Sequence, residues 1–229
     1  MKTTMASLRP IRALCGFSLV AFAALAPAAS ARPPEGGYFA FGLGYAAVSG
    51  DRGVPLAPRP NTVLVVAPGE YDEVVRTDFG AGLGFEVRFG WRFGPIAPEL
   101  TFFGHGAFDF ENGAGYPGLK VRFHPLMLVD SLADSKLDGS VYLGAGYVIG
   151  GYTPEGDDDG KGWEGWFLSF GLGGTYELSH RVHLGLDLKF VLPRYSSWIF
   201  DRDDDITFEP EETPSTLVIA PSLTIQACF

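Results

Sequence analysis

The last fourteen residues, Thr216 to Phe229, alternate apolar side chains with small or polar ones and end on an aromatic ring. Leu217, Ile219, Leu223, Ile225 and Phe229 fall on one face, with Thr216, Ser222, Thr224 and Gln226 on the other. A repeat of two is the period of a strand; a helix would repeat every ~3.6 residues, and a strand buried on both faces would be apolar throughout. The same alternation recurs in eight stretches. An oily face backed by a polar one is what a strand needs when lipid takes the place of a core and the other side lines an enclosed interior.

The front of the chain reads as an export signal. Lys2, Arg9 and Arg12 precede an apolar run from Ala13 to Ala26, followed by Pro27 and the small-residue site Ala29-Ser30-Ala31. That order of basic, apolar and small segments is a secretory signal peptide. The run of about 14 residues falls short of the ~20 that a bilayer-spanning helix needs. The expected organisation is a signal peptide over 1–31, a short leader over 32–36 and one barrel domain over 37–229. Cleavage would take the formal net charge from −10 to −13 and leave Cys228 as the single cysteine, so no intrachain disulfide forms. No later stretch has the length and apolarity of a membrane helix, so any insertion must use strands.

The eight stretches share one rule. In the first, Gly37 to Val48, Phe39, Phe41, Leu43 and Tyr45 point outward. In the second, Asp78 to Trp91, Phe79, Leu83, Phe85, Val87, Phe89 and Trp91 do so, against Gly80, Gly82, Gly84, Glu86 and Arg88. Ile96 to Phe103 and Gly118 to Pro125 follow, the latter with Leu119, Val121 and Phe123 outward and Lys120, Arg122 and His124 inward. Val141 to Ile149, Leu168 to Leu178 and Val182 to Phe190 precede the terminal stretch. Backbone groups in lipid must all be paired, which requires closure into a barrel. The predicted fold is therefore all-β: an eight-stranded antiparallel up-and-down barrel. The apolar run Val63 to Val66 leaves ten strands open as an alternative. Tight connections at Arg92 to Pro95 and Ser179 to Arg181, with Leu126 to Gly139 long enough for one helical turn, are assigned to the periplasm. Ser49 to Thr77, Gly104 to Tyr116, Gly150 to Gly165 and Leu192 to Ser215 are the expected extracellular loops.

These features resemble the small bacterial outer-membrane β-barrel superfamily, which includes the OmpA-type membrane domain and the OmpX-like barrels. The carriers are the signal peptide, the glycine-alternating stretches (Phe39 to Tyr45, Phe79 to Phe85, Leu143 to Tyr147, Phe170 to Tyr176) and the terminal Phe229. The resemblance implies that Leu223, Ile225 and Phe229 form a signal read by the barrel-assembly machinery; Ala227 is smaller than the family pattern.

A barrel of eight strands has a lumen just wide enough for side chains to fill it. Inward glycines make room for Tyr38, Phe103 and Tyr142. Glu86, Arg88, Glu99, Lys120, Arg122, Glu177, Asp187 and Lys189 all point inward, and charges in so confined a space need partners. They are expected to form a salt-bridged plug. If the Arg92 to Pro95 turn pairs its own ends, Arg88 faces Glu99 at the centre of that plug.

The loops are acidic: Gly150 to Gly165 and Leu192 to Ser215 hold −9 of the mature −13. A basic groove for nucleic acid is absent. Asp201, Asp203, Asp205 and Glu212 copy the oxygen-ligand spacing of a calcium loop, although Ile206 stands where the turn glycine belongs. A solvated acidic loop that holds divalent cations loosely is the simpler reading. No catalytic residue is assigned: there is no His-x-Ser pair on a strand and no G-x-S-x-G elbow, and Ser169 has no histidine at its level. Trp163 and Trp198 are expected near the outer rim, as girdle residues or as contacts for an external ligand.

The sequence thus calls for an integral outer-membrane protein with lipids around it, no cofactor, no nucleic-acid partner and a monomeric state. Its expected role is structural or surface-interacting. A narrow gated, cation-preferring pore is the alternative, and a lipid-modifying enzyme ranks below both.

Overall fold

A computed structural model of the chain describes residues 35–51, 56–58, 77, 80–108, 112–129, 135–152, 161–201, 206–210 and 212–229. The strands are β1 (Gly36–Ser49), β2 (Leu56–Pro58), β3 (Ala81–Arg92), β4 (Ile96–Ala107), β5 (Asn112–Phe123), β6 (Leu137–Tyr152), β7 (Lys161–Ser179), β8 (Val182–Asp201), β9 (Ile206–Pro210) and β10 (Leu217–Cys228). Eight of them close a barrel. Consecutive strands from β3 to β8 pair antiparallel, β1 pairs with β3 and β10, and β10 pairs with β8. Closure removes every sheet edge in the wall, which satisfies the backbone where no water can reach it.

The remaining pair, β2 and β9, lengthens this wall rather than adding to its circumference. Ser49 opposite Leu217 and Leu56 opposite Pro210 belong to one ladder register, so β2 continues β1 and β9 continues β10. β7 and β8, at 19 and 20 residues, rise with them. Val63 to Val66 lie outside the described residues.

Outward residues follow the alternation. Leu43, Leu100, Leu119 and Leu143 are 57%, 62%, 68% and 71% exposed. Hiding such side chains from water stabilises a protein by ~1.5–3 kcal/mol each. A wall that leaves them on its outside is matched to acyl chains rather than to water.

The start of β1, the C-terminal Phe229 and the tightest turns share one end of the barrel, the termini end. Phe93 and Ile96 exchange backbone hydrogen bonds of 2.8 and 3.2 Å around a two-residue loop, with Gly94 at φ 57°. Glycine at the first central position is what the hairpin geometry demands. The helical turn allowed within Leu126 to Gly139 is a 3-10 turn beginning one residue earlier, Pro125–Leu128. At the opposite end the expected long loop Gly104 to Tyr116 is mostly strand, because β4 runs to Ala107 and β5 starts at Asn112. Likewise β8 takes up much of Leu192 to Ser215. Alternation along these stretches continues past the residues expected at the rim, and the ladders continue with it.

One register differs from the sequence reading. The turn pairs Phe93 with Ile96, not Arg92 with Pro95, which slides β4 along β3. Arg88 therefore sits opposite Thr101, and Glu99 opposite Gly90. The direct Arg88–Glu99 pair does not form.

Candidate functional site: the filled lumen

The lumen is packed in layers, and the middle layer is ionic. Glu86 on β3 receives Lys120 Nζ from β5 at 2.6 Å and Lys189 Nζ from β8 at 2.7 Å, both on Oε1. Thr101 Oγ1 donates to the same oxygen at 3.0 Å. Arg88 crosses to Asp187 on β8 at 2.8 Å. Arg122 bridges Glu99 at 2.8 Å and the other oxygen of Asp187 at 2.9 Å, and donates to Ser140 Oγ at 2.8 Å. Tyr38 donates its hydroxyl proton to Glu99. All seven charged side chains are at least 95% buried. Desolvation at that depth is offset only when each charge meets opposite charge with good geometry, and here strands from across the barrel supply it.

Aromatic rings wall this belt. Lys120 and Arg122 lie 4.4 and 4.7 Å from the centre of the Tyr142 ring, and Lys189 lies 4.1 Å from that of Phe103. Such contacts add cation–π attraction to the ion pairs. The rings fit because small residues face them: a Cβ on Gly90 would stand 2.5 Å from Tyr38 Cζ, and one on Gly171 would collide with the Tyr142 hydroxyl.

Toward the loop end the lumen turns apolar. Phe103, Tyr116, Phe167, Trp163, Tyr195, Trp198 and Phe208 pack with Val148, Val191 and Val218 into one buried cluster. Trp163 and Trp198 meet edge to face at 4.9 Å, and Tyr116 and Phe167 at 5.5 Å. The two tryptophans are 0% and 1% exposed, which corrects their placement at an outer rim or against an external ligand. Trp163 is inward by parity on β7, and a bulge on β8 between Tyr195 and Ser197 turns Trp198 inward opposite it, on strands that run on past the expected rim.

Toward the termini end a second polar group closes the mouth. His124 Nδ1 lies 2.6 Å from Asp138 Oδ2, and Arg92 Nη2 lies 3.2 Å from the same oxygen. Glu177 and His183 face one another across the β7–β8 turn. The sequence reading passed over Arg92 and Asp138. Parity is their signal, Arg92 being in phase with Glu86 and Arg88, and the tight connection expected at Arg92 to Pro95 hides it. With them, the buried charges among the described residues are five cations and five carboxylates.

Leu223, Ile225 and Phe229 project from the outer wall, where they are 54%, 51% and 68% exposed. The Phe229 ring lies over Gly37 and 6.1 Å from Phe89, and its N–H donates to the Gly37 carbonyl at 2.9 Å. Of the calcium-like set, Asp201 ends β8 and Glu212 is exposed, while Asp203 and Asp205 lie outside the described residues. Among the described residues no group of three or more His, Cys, Asp or Glu side chains is placed to hold a metal. Residues 1–34, which include the expected signal peptide, are also outside them.

No protein-family model matches the sequence, and comparison with curated proteins gives no match. Solved structures do match. Neisserial surface protein A is 11% identical, with 85% of this chain and 98% of that one covered and a TM-score of 0.56. The N-terminal barrel domain of Pseudomonas aeruginosa OprF is 8% identical, with coverage of 83% and 98% and a TM-score of 0.39. Ail, the attachment invasion locus protein of Yersinia pestis, is 12% identical, with coverage of 83% and 99% and a TM-score of 0.36. The strand closure together with the first of these gives the assignment: the chain has the fold of the small, closed, eight-stranded outer-membrane β-barrels.

Proposed function

We propose that the protein is an integral outer-membrane barrel of a diderm bacterium, acting as a sealed scaffold that presents acidic connections at the cell surface. The termini end faces the periplasm in this reading, and the loop end faces outward. The single observation that carries it is the filled lumen: an ion-paired layer of four cations and three carboxylates, capped by a buried aromatic cluster, occupies the bore. Rigidity of the wall then serves the connections it holds. The terminal Phe229, with Leu223 and Ile225, acts during assembly, and divalent cations associate loosely with the outer acidic segments. The barrel works as a monomer, without a cofactor and without catalysis.

Planar-bilayer recording tests the reading against a gated, cation-preferring pore. The refolded protein is expected to leave the bilayer silent at moderate voltage. Stable single-channel steps would replace the scaffold by the pore. Outer-membrane fractionation combined with heat-modifiable gel mobility tests the location.

A further inference from the structure

One stretch of the lipid-facing wall is concave. Gly139, Gly174, Leu186, Leu223 and Leu43 form a single lateral row across β6, β7, β8, β10 and β1. Two members of that row have no side chain, and Gly174 is buried although it lies on the outer face. Above it runs a second row, Val141, Leu172, Leu188 and Pro221. Leu126 of the 3-10 turn closes one end, 3.4 Å from where a Gly139 Cβ would stand. The cavity between these rows has a volume of about 710 Å³. That lies inside the ~300–1,000 Å³ of small-ligand sites.

We propose that this trough seats one acyl chain of a glycerophospholipid whose phosphate lies at the termini-end rim. The inference rests on the membrane reading above. Across five strands at ~4.8 Å spacing the trough follows an arc of roughly 19 Å around the wall, and the strand tilt inclines it from the termini-end rim into the leaflet. One leaflet of a ~30 Å hydrocarbon layer supplies a chain of about 15 Å. The charge at the rim suits a phosphate. Lys136, the residue before β6, is tied to the end of β7 through its carbonyl, which accepts the Glu177 N–H at 2.9 Å. Arg181 is tied to the end of β10 by the Cys228 N–H at 2.8 Å, and its side chain is exposed. Lys136 is three positions from Gly139, roughly 10 Å at ~3.3 Å per residue, about the reach from a chain to its headgroup. A second copy of the protein fits less well. Two convex barrels that meet at their troughs would enclose a larger void instead of filling one.

The test is native mass spectrometry of the full mature barrel in detergent, titrated with palmitoyl-oleoyl phosphatidylglycerol. The wild type is expected to retain one lipid per barrel. Gly174→Leu, which fills the trough from β7, should reduce retention at least tenfold, and Pro221→Leu, which fills it from β10, carries the same expectation if Gly174→Leu does not fold. Ala145→Leu, outward on β6 but outside the trough, should retain the lipid. Equal retention by wild type and both filled variants would overturn the proposal. So would equal loss in Ala145→Leu, or a monomer–dimer shift in the filled variants with lipid retention unchanged. Those failures leave the membrane reading intact; a mature protein that stays compact without detergent would remove that reading instead.

Discussion

Glu86 and Lys120 meet at 2.6 Å inside the barrel although 34 positions and an intervening strand separate them. The same carboxylate oxygen also holds Lys189 at 2.7 Å, so one glutamate compensates two buried ammonium groups. Glu86→Gln should therefore cost more than an ordinary ion pair. Removing one partner from a buried pair leaves an uncompensated charge worth ~3–5 kcal/mol. Guanidinium unfolding in lipid vesicles, followed by gel mobility, should show an unfolding free energy lower by that amount and a correspondingly lower midpoint. A midpoint unchanged from wild type would mean that the lumen is more hydrated than its packing implies.

Gly90 and Tyr38 form a matched small–large pair. A methyl group at Gly90 would stand 2.5 Å from the Tyr38 ring, whose hydroxyl is committed to Glu99. Gly90→Ala is expected to destabilise by ~1–3 kcal/mol, the cost of overpacking. Adding Tyr38→Ala relieves the overlap, so the two changes should combine to less than the sum of the separate losses. Strict additivity in a double-mutant cycle would refute the pairing.

Trp198 is buried against Trp163 in the loop-end cluster, with ring centres 4.9 Å apart at 64°. Trp198→Ala should cost ~3–5 kcal/mol through transfer and cavity terms. It should also abolish the far-ultraviolet circular-dichroism exciton couplet of the pair. A residue kept only for an external ligand would leave both readouts at their wild-type values.

His124 lies outside the spanning strands and gives the barrel a pH dependence. Burial holds its imidazole below the ordinary value near 6.5, although the bond to Asp138 pulls the other way. The unfolded chain then takes up the proton before the folded one does. Stability from this group is present in full above pH ~6.5 and is lost as the pH falls through the lowered value. His124→Gln should flatten the slope of unfolding free energy below pH 6.5, measured as the difference from wild type across pH 7.5 to 5. A slope steeper in the variant would reverse the assignment.

Which side of the wall each residue occupies could be read from the sequence because strand parity is local. Leu119, Lys120, Val121 and Arg122 need no knowledge of distant strands to sort into outward and inward. The tryptophans are different. The sequence places Trp163 and Trp198 in loops near the outer rim, whereas β7 and β8 continue through them and a bulge at Ser196 sets the face of Trp198, which no local pattern announces. Partner choice was equally hidden. The register of β3 on β4 turned on whether the hairpin loop was Gly94-Pro95 or one position different. A change at that point moves Glu99 from Arg88 to Gly90.

The amino-acid order by itself determined a period-two chain with an oily outside, a charged inside and ends that can meet, because these are properties of neighbouring residues. Tertiary structure alone decided that Arg88 takes Asp187, that Glu86 serves two lysines and that a stretch of the outer wall is hollow. Those contacts join strands that become adjacent or opposite only when the sheet closes with a particular tilt and stagger. No local pattern encodes that geometry, since it is a constraint satisfied by all eight strands at once.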